Sequence, residues 1–197
     1  MEVVKVGGSL MAEAGMVMKV LKDYDVLVVP GGGVFADAVR EVHRGHGLSE
    51  RTAHMMALLA TDQYGLLLSD LSGIPAITSL KDFSGQAVIL PSAMAAASGL
   101  EATWDVASDT IACYIAREAG ARGFIKLTAV DGIALGGSLL KTVEAGKLLN
   151  TTTCLDKSLP AYLQKWKMSC RVVNGKREEN IRRALEGEAV GTIILGG

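Results

Sequence analysis

Short apolar runs closed by glycine alternate with longer segments of helical spacing along the whole chain. Val3-Val4-Lys5-Val6 is a β-branched run that ends at Gly7-Gly8, and Ser9 opens a segment whose Val17, Val20 and Leu21 share one helical face. Val26-Leu27-Val28-Val29 is continuously apolar, as a strand buried on both faces must be, and Pro30 with Gly31-Gly32-Gly33 stops it. A second helix is predicted to about Arg44, and a long third helix from Ser49 to about Leu71.

Pro75 to Thr78 and Ala87 to Leu90 read as further strands. A helix then begins at Ser108-Asp109, with Ile111, Ala112, Ile115, Ala116 and Ala119 on one stripe. Gly123 to Thr128 is another buried strand, closed by Val130-Asp131-Gly132, and Leu135 to Thr153 shows no clear period. A helix at about Leu159 to Lys167, a strand at Cys170 to Val173, a helix around Ile181, Ala184 and Leu185, and a strand at Val190 to Leu195 complete the pattern. Strands alternating with helices predict an α/β fold, a three-layer sandwich around a mostly parallel sheet. No Pro/Ser-rich linker divides it, so residues 1–197 read as a single domain.

Composition narrows the function. Of 197 residues, 49% are hydrophobic and 21% charged, which excludes a disordered chain. Twenty Lys and Arg nearly cancel 21 Asp and Glu, so neither nucleic acid nor an anionic membrane is an expected partner. The most apolar stretch, Ala53 to Leu68, is broken by His54, Asp62, Gln63 and Tyr64, and the N-terminus lacks the order of a signal peptide. Three dispersed cysteines, Cys113, Cys154 and Cys170, offer neither a disulfide scaffold nor a zinc site and fit a reducing cytoplasm.

The candidate chemistry lies in two glycine turns and the acids that follow. Lys5-Val6-Gly7-Gly8-Ser9 and Pro30-Gly31-Gly32-Gly33 both join a strand to a helix, at the sheet edge where ligands of α/β proteins bind. Glycine amides at a helix N-terminus can cradle an oxyanion, although a tight turn alone can also demand glycine. Gly31-x-Gly33-x-x-Ala36 matches the dinucleotide fingerprint in letter, but the acid expected about 20 residues on would fall in the third helix, so that reading fails on context. Asp109 at a helix start is either a cap or a carboxylate that orients lysines or a metal beside a phosphate, and periodicity leaves both open. Thr128 to Gly132 is likewise either a β-turn or a ligand border.

In combination these motifs resemble the amino acid kinase superfamily, nearly end to end. The resemblance rests on Lys5-Val6-Gly7-Gly8-Ser9-Leu10, Pro30-Gly31-Gly32-Gly33, Ser108-Asp109-Thr110-Ile111-Ala112, Lys126-Leu127-Thr128-Ala129-Val130-Asp131-Gly132, Val173-Asn174-Gly175 and Gly191-Thr192-Ile193-Ile194, in that order. It implies the carbamate kinase-like fold, with an acceptor-binding lobe of about 1–120 and a nucleotide-binding lobe of about 121–197. It also implies ATP and Mg2+ as cofactors, a small-molecule acceptor and a homo-oligomer.

By the same resemblance Gly7, Gly8 and Ser9 hold the ATP phosphates, and Lys5 stabilises the transferring phosphoryl group. Lys126, Thr128, Asp131 and Gly132 border the nucleotide, Gly31, Gly32 and Gly33 line the acceptor, and Asp109 organises the lysine and metal site. No general base stands beside either glycine loop, which favours an acceptor that is already an oxyanion, a phosphate or carboxylate.

Isopentenyl phosphate kinases carry a histidine shortly after the acceptor loop, where Val34, Phe35, Ala36 and Asp37 stand here. Uridylate kinases carry an arginine there and an aspartate near the position of His54. Acetylglutamate and aspartate kinases are longer and have a late lysine, which falls here near Asp156-Lys157 without a fixed match. Trp104-Asp105-Val106-Ala107-Ser108-Asp109 and the helix around Ala53 to Gly65 look most like the archaeal [5-(aminomethyl)furan-3-yl]methyl phosphate kinases of methanofuran synthesis. The expected acceptor is a phosphomonoester bearing an amine, contacted by Asp105, with Asp37 and Asp62 as alternatives and His54 either structural or at the substrate. The competing reading is a non-catalytic oxyanion binder like the molybdenum storage proteins.

Four further expectations concern packing. His43 and His46 are expected to be solvated, Met55 and Met56 to fill the core, Cys113 to be inert, and Arg182-Arg183 to form an ion-paired surface. The surplus of apolar residues between Met55 and Leu68 suggests an interface between copies.

Overall fold

Each apolar run of the sequence becomes a strand, and the glycine turns place the chain's reversals at one edge of the resulting sheet. A computed structural model describes residues 1–81 and 83–197. The chain opens with β1 (Glu2–Val6), a 3-10 segment (Gly8–Glu13), α1 (Ala14–Leu21), β2 (Val26–Pro30), α2 (Gly33–His46) and α3 (Glu50–Ser72). It continues through β3 (Ala76–Ile77), β4 (Ala87–Ile89), α4 (Ser92–Ala97), α5 (Ser108–Glu118), β5 (Gly123–Thr128), β6 (Ala134–Leu135), β7 (Ser138–Leu139) and β8 (Thr142–Glu144). After a 3-10 segment (Ala145–Leu148) come α6 (Leu159–Trp166), β9 (Ser169–Asn174), α7 (Glu178–Leu185) and β10 (Thr192–Leu195).

Eight strands form one sheet in the order β3-β4-β2-β1-β5-β9-β10-β8, and β6-β7 is a separate hairpin. Only β9 and β10 pair antiparallel within the large sheet, so the mostly parallel sandwich is observed as expected. The short α4 and the β6-β7 hairpin carry too few residues to show a period, and the sequence pattern did not predict them.

Strand alternation sorts the core into two faces. Val4, Val6, Val26, Val28, Leu127 and Val173 pack with Val17, Met18, Leu21 and Ile181 of α1 and α7. Val3, Leu27, Val29, Phe124, Cys170 and Val172 pack on the other face with Ile111, Ile115, Leu159 and Leu163 of α5 and α6. Each such side chain contributes about 1.5–3 kcal/mol relative to exposure. The same alternation turns Lys5, two residues after Val3, and Lys126, two after Phe124, into the second face. They are also direct neighbours, since β1 and β5 pair with Lys5 opposite Lys126.

Strand order reverses at β1: the chain builds β2, β4 and β3 on one side and then crosses to β5 and β9 on the other. Ligands of open α/β sheets bind outside the strand carboxyl ends at such a switch point. Helix α3 is capped by Ser49, whose Oγ accepts from the Thr52 amide at 3.2 Å. It buries Ala53, Leu58, Tyr64 and Leu68 but leaves Met55, Leu59, Leu66 and Leu71 exposed, so Met55 is not the core filler expected of it. A single helix cannot bury residues all round when only one side meets the domain. Among the described residues no helix is long and apolar enough to cross a membrane.

The two glycine loops lie backbone against backbone. A Cβ on Gly8 would stand 2.3 Å from the Gly33 amide nitrogen, and one on Gly31 2.9 Å from the Gly8 nitrogen. Gly33 also adopts φ +53°. Gly8→Ala should therefore destabilise the fold by about 1–3 kcal/mol through forced backbone displacement. Gly15→Ala, in helix α1 with open space around it, should be neutral or stabilise by up to about 1 kcal/mol. Chemical denaturation of both variants checks the contrast, and equal effects would refute the close approach.

Candidate active site

Lys5 on β1, Lys126 on β5 and Asp109 in the first turn of α5 converge at the switch point. Asp109 Oδ1 lies 2.8 Å from Lys5 Nζ, and Oδ2 accepts a hydrogen bond from Lys126 Nζ. The three side chains are only 6%, 2% and 4% exposed for Lys5, Asp109 and Lys126, so one carboxylate serves two nearly dry ammonium groups. Burial alone would raise the Asp109 pKa, but the two lysines outweigh it and hold the carboxyl well below the usual range. Burial likewise opposes charge on Lys126, yet Asp109 shifts its pKa upward on balance.

This geometry decides between the two sequence readings of Asp109. Its carboxylate does not cap α5; Ala107 occupies the cap position and supplies no side-chain acceptor. The helix amides are served instead by Asp156, whose Oδ2 accepts from Asp109 N at 2.7 Å and Thr110 N at 3.0 Å. The Asp156 amide in turn donates to Asp109 Oδ2 at 3.1 Å, and Lys126 Nζ donates to the Cys154 carbonyl. Burial and the adjacent Asp109 charge push the Asp156 carboxyl up to about 7. Sequence periodicity could not have found Asp156, because the segment around it belongs to no regular element.

The glycine loops frame the cluster. Gly7 N donates to Leu127 O at 3.0 Å and Gly31 N to Val6 O at 2.8 Å, tying each loop to the neighbouring strand end. Ser9 Oγ and Thr128 Oγ1 face each other at 3.4 Å across the β1–β5 crevice. Asp131 is exposed at the end of β5, where it accepts from Asn174 Nδ2 at 2.8 Å, and Gly132 is buried beside it. Lys126 is thus placed with Lys5 and Asp109, whereas Thr128, Asp131 and Gly132 lie along the strand's outer end.

On the β2 side a cleft of about 350 Å³ is lined by Gly8, Ser9, Gly32, Gly33, Asp37, Arg40 and Ser108. The N-terminus of α2, which has no side-chain cap, opens onto it, and Ser108 at the start of α5 lines it as well. An adjoining small cavity is lined by His54, Thr61, Trp104 and Val106, with Arg40 shared between the two. The Arg40 guanidinium lies 5.2 Å from the Trp104 ring centre and 2.5 Å from Asp37 Oδ1. Gly33, Ala36 and Arg40 fall at helical spacing from the loop, a signal the sequence did contain.

His54 Nδ1 donates to the Thr103 carbonyl at 3.2 Å, leaving Nε2 unprotonated in the neutral ring. Burial lowers its pKa. Asp105 does not line the cleft; its carboxylate pairs with Lys157 at 2.9 Å, both side chains exposed. Asp62 is occupied by Ser92, accepting its amide at 3.0 Å. His43 is less solvated than expected: it is 21% exposed and packs edge-on to Trp104. His46 is exposed, Cys113 is buried with its pKa pushed up to about 12, and Arg182 and Arg183 pair with Glu178, Asp23 and Glu188.

Because Asp109 is depressed, its stabilisation is complete above about pH 4, the range of an unfolded carboxylate, and is lost as pH falls. Asp109→Ala should cost about 3–5 kcal/mol at neutral pH by leaving two buried ammonium groups unpaired. It should also flatten the acid limb of the stability curve, since the group that titrates there is gone. Denaturant titrations from acid to neutral pH test both, and an unchanged acid limb would contradict the assignment.

Comparison with known proteins agrees with this architecture. Residues 1–174 match the model of the amino acid kinase family. A [5-(aminomethyl)furan-3-yl]methyl phosphate kinase from Methanocaldococcus jannaschii is 32% identical over 204 aligned positions, covering 95% of this chain and 94% of that protein. Crystal structures of uridylate kinase from Archaeoglobus fulgidus (TM-score 0.74, 23% identity, 98% of this chain and 100% of that one) and UMP kinase from Bacillus anthracis (TM-score 0.78, 16% identity, 98% and 95%) share the fold. With one carboxylate holding two lysines at the head of interlocked glycine loops, and with these likenesses spanning nearly the whole chain, the protein belongs to the amino acid kinase family and is a kinase.

Proposed function

We propose that this kinase transfers the γ-phosphate of ATP to a small phosphomonoester, [5-(aminomethyl)furan-3-yl]methyl phosphate, giving its diphosphate. The reading is carried by the pair of ammonium groups that Asp109 holds at the β1–β5 switch point, one residue on from Ser108 of the cleft. The choice of acceptor is supported by the extended likeness to the Methanocaldococcus jannaschii enzyme.

Phosphoryl transfer has a loose transition state, so placement and charge stabilisation supply most of the catalysis. Lys5 and Lys126 stabilise charge on the transferring group, while the Gly7-Gly8-Ser9 loop holds the nucleotide phosphates through the Gly8 amide and the Ser9 hydroxyl. The nucleotide lies against Thr128, Asp131 and Gly132. A phosphate acceptor is ionised at neutral pH, so its oxygen attacks without a general base. Bound with the nucleotide, Mg2+ would supply charge neutralisation to its phosphates.

The acceptor phosphate occupies the cleft at Gly32 and Gly33, with Gly31 buried behind them, within reach of Arg40. Its ammonium joins the Asp37–Arg40 pair that lines that cleft, rather than Asp105, which lies outside it. His54 and Trp104 form the wall for the ring. The three free cysteines fit a reducing cytoplasm.

Turnover with Mg-ATP and a panel of acceptors tests the proposal. Aminomethylfuran phosphate should far exceed UMP, isopentenyl phosphate, glutamate and aspartate, and Lys5→Ala should lower kcat by about 100-fold or more. Fastest turnover of glutamate would reject the acceptor, and a Lys5→Ala enzyme within a few-fold of the unaltered protein would reject the role of Lys5.

The same reading includes a homo-oligomer. Met55, Leu59 and Leu66 leave an apolar strip on the solvent side of α3, which a second copy would cover. Light scattering at micromolar concentration should give a mass of at least two chains; a monomer would refute it.

A further inference from the structure

The cluster holds a second carboxylate that the transfer chemistry does not use. We propose that Asp156 is a positioning residue of the phosphoryl-transfer site, fixing where Asp109 holds the two lysines. The segment from Cys154 to Asp156 touches the cluster at four points. Lys126 Nζ donates to Cys154 O, Asp156 N donates to Asp109 Oδ2, and Asp156 Oδ2 accepts from the amides of Asp109 and Thr110. The same segment is tacked to the loop before α5, since Ser158 N donates to Asp105 O at 3.1 Å and Lys157 pairs with Asp105.

A helix start is ordinarily capped by the residue just before it, at little cost. Here the cap comes from 47 residues away and brings a carboxylate beside Asp109, with Lys5 and Lys126 as the facing cations. Two buried carboxylates side by side are unfavourable, and that cost appears in the raised Asp156 pKa. For stability alone, a serine at position 107 would serve with no buried charge. What the distant carboxylate adds is geometry. The Asp156 carboxylate clamps the backbone of Asp109 through its amide, and so holds the Asp156 amide in place on the Asp109 carboxylate. The Lys5–Lys126 spacing then follows from one rigid reference. Displacements of about 1 Å in such a site cost on the order of 100-fold in rate.

Three variants separate placement from charge. Asp156→Asn keeps an oxygen that can accept from both amides, Asp156→Glu keeps the charge but moves it, and Asp156→Ala removes both. The assay uses whichever acceptor the unaltered enzyme phosphorylates, so the identity of the acceptor does not enter. Asn should hold kcat within roughly threefold, while Glu and Ala should lower kcat roughly tenfold or more with KM for ATP little changed. Melting temperatures identify any variant that fails to fold, and the Asn and Glu pair decides the matter if Ala does. Acetylation of Lys5 by acetic anhydride, read by mass spectrometry, should be slow in the unaltered protein and Asn and faster in Glu. Glu as active as the unaltered enzyme, or Asn as impaired as Glu, would overturn the proposal.

Discussion

Two ammonium groups buried at the centre of a parallel sheet would be intolerable without a counter-charge, and Asp109 is the group that makes this sheet possible. Strand pairing sets Lys5 and Lys126 side by side on one face, so their mutual repulsion acts at short range with little water to screen it. One carboxylate between them, with each oxygen committed to one lysine, turns that repulsion into a bridged trio. A buried ionic cluster of this kind contributes little net stability compared with apolar packing. It is informative as chemistry: positive charge has been concentrated and oriented at the one place in the fold where strand order reverses.

The glycine loops follow from the same constraint. The loops after β1 and β2 pack on one another without side chains, which leaves space above the crevice. Gly8, Gly32 and Gly33 with the start of α2 line the space left open. The glycines therefore answer both readings of the sequence, since the turn geometry that demands glycine is also what lets backbone approach an anion.

The cleft on the β2 side is built differently from the lysine cluster. Lys5, Asp109 and Lys126 are buried and mutually bonded, whereas Arg40 and Asp37 are about half and two-thirds exposed and pair as neighbours on α2. A rigid charged cluster beside an adaptable, partly solvated pocket suits a family in which the transfer is common and the acceptor varies. It also explains why carboxylates that look alike in the sequence differ in availability. Asp105 and Asp62 are held by Lys157 and Ser92 outside the cleft, whereas Asp37, paired with Arg40, lines it.

The apolar runs and glycine turns of the sequence were enough to determine the strands other than β6, β7 and β8, the principal helices, the parallel sheet and the lysine and glycines at its edge. These are local properties: strand burial and helical period are written in neighbouring residues, and a glycine turn needs only a few of them. The partner of each charge was not local. Whether Asp109 capped its own helix or bridged two lysines depended on Asp156, 47 positions later, reaching back to take the cap. Lys126, read as a nucleotide neighbour, joined Lys5 and Asp109 in one ion cluster only when β5 paired beside β1. His43, Met55 and Asp105 likewise took their surroundings from Trp104, the outer side of α3 and Lys157. Electrostatic and packing partners are set by distances across the fold, and those distances exist only once the sheet order has been chosen.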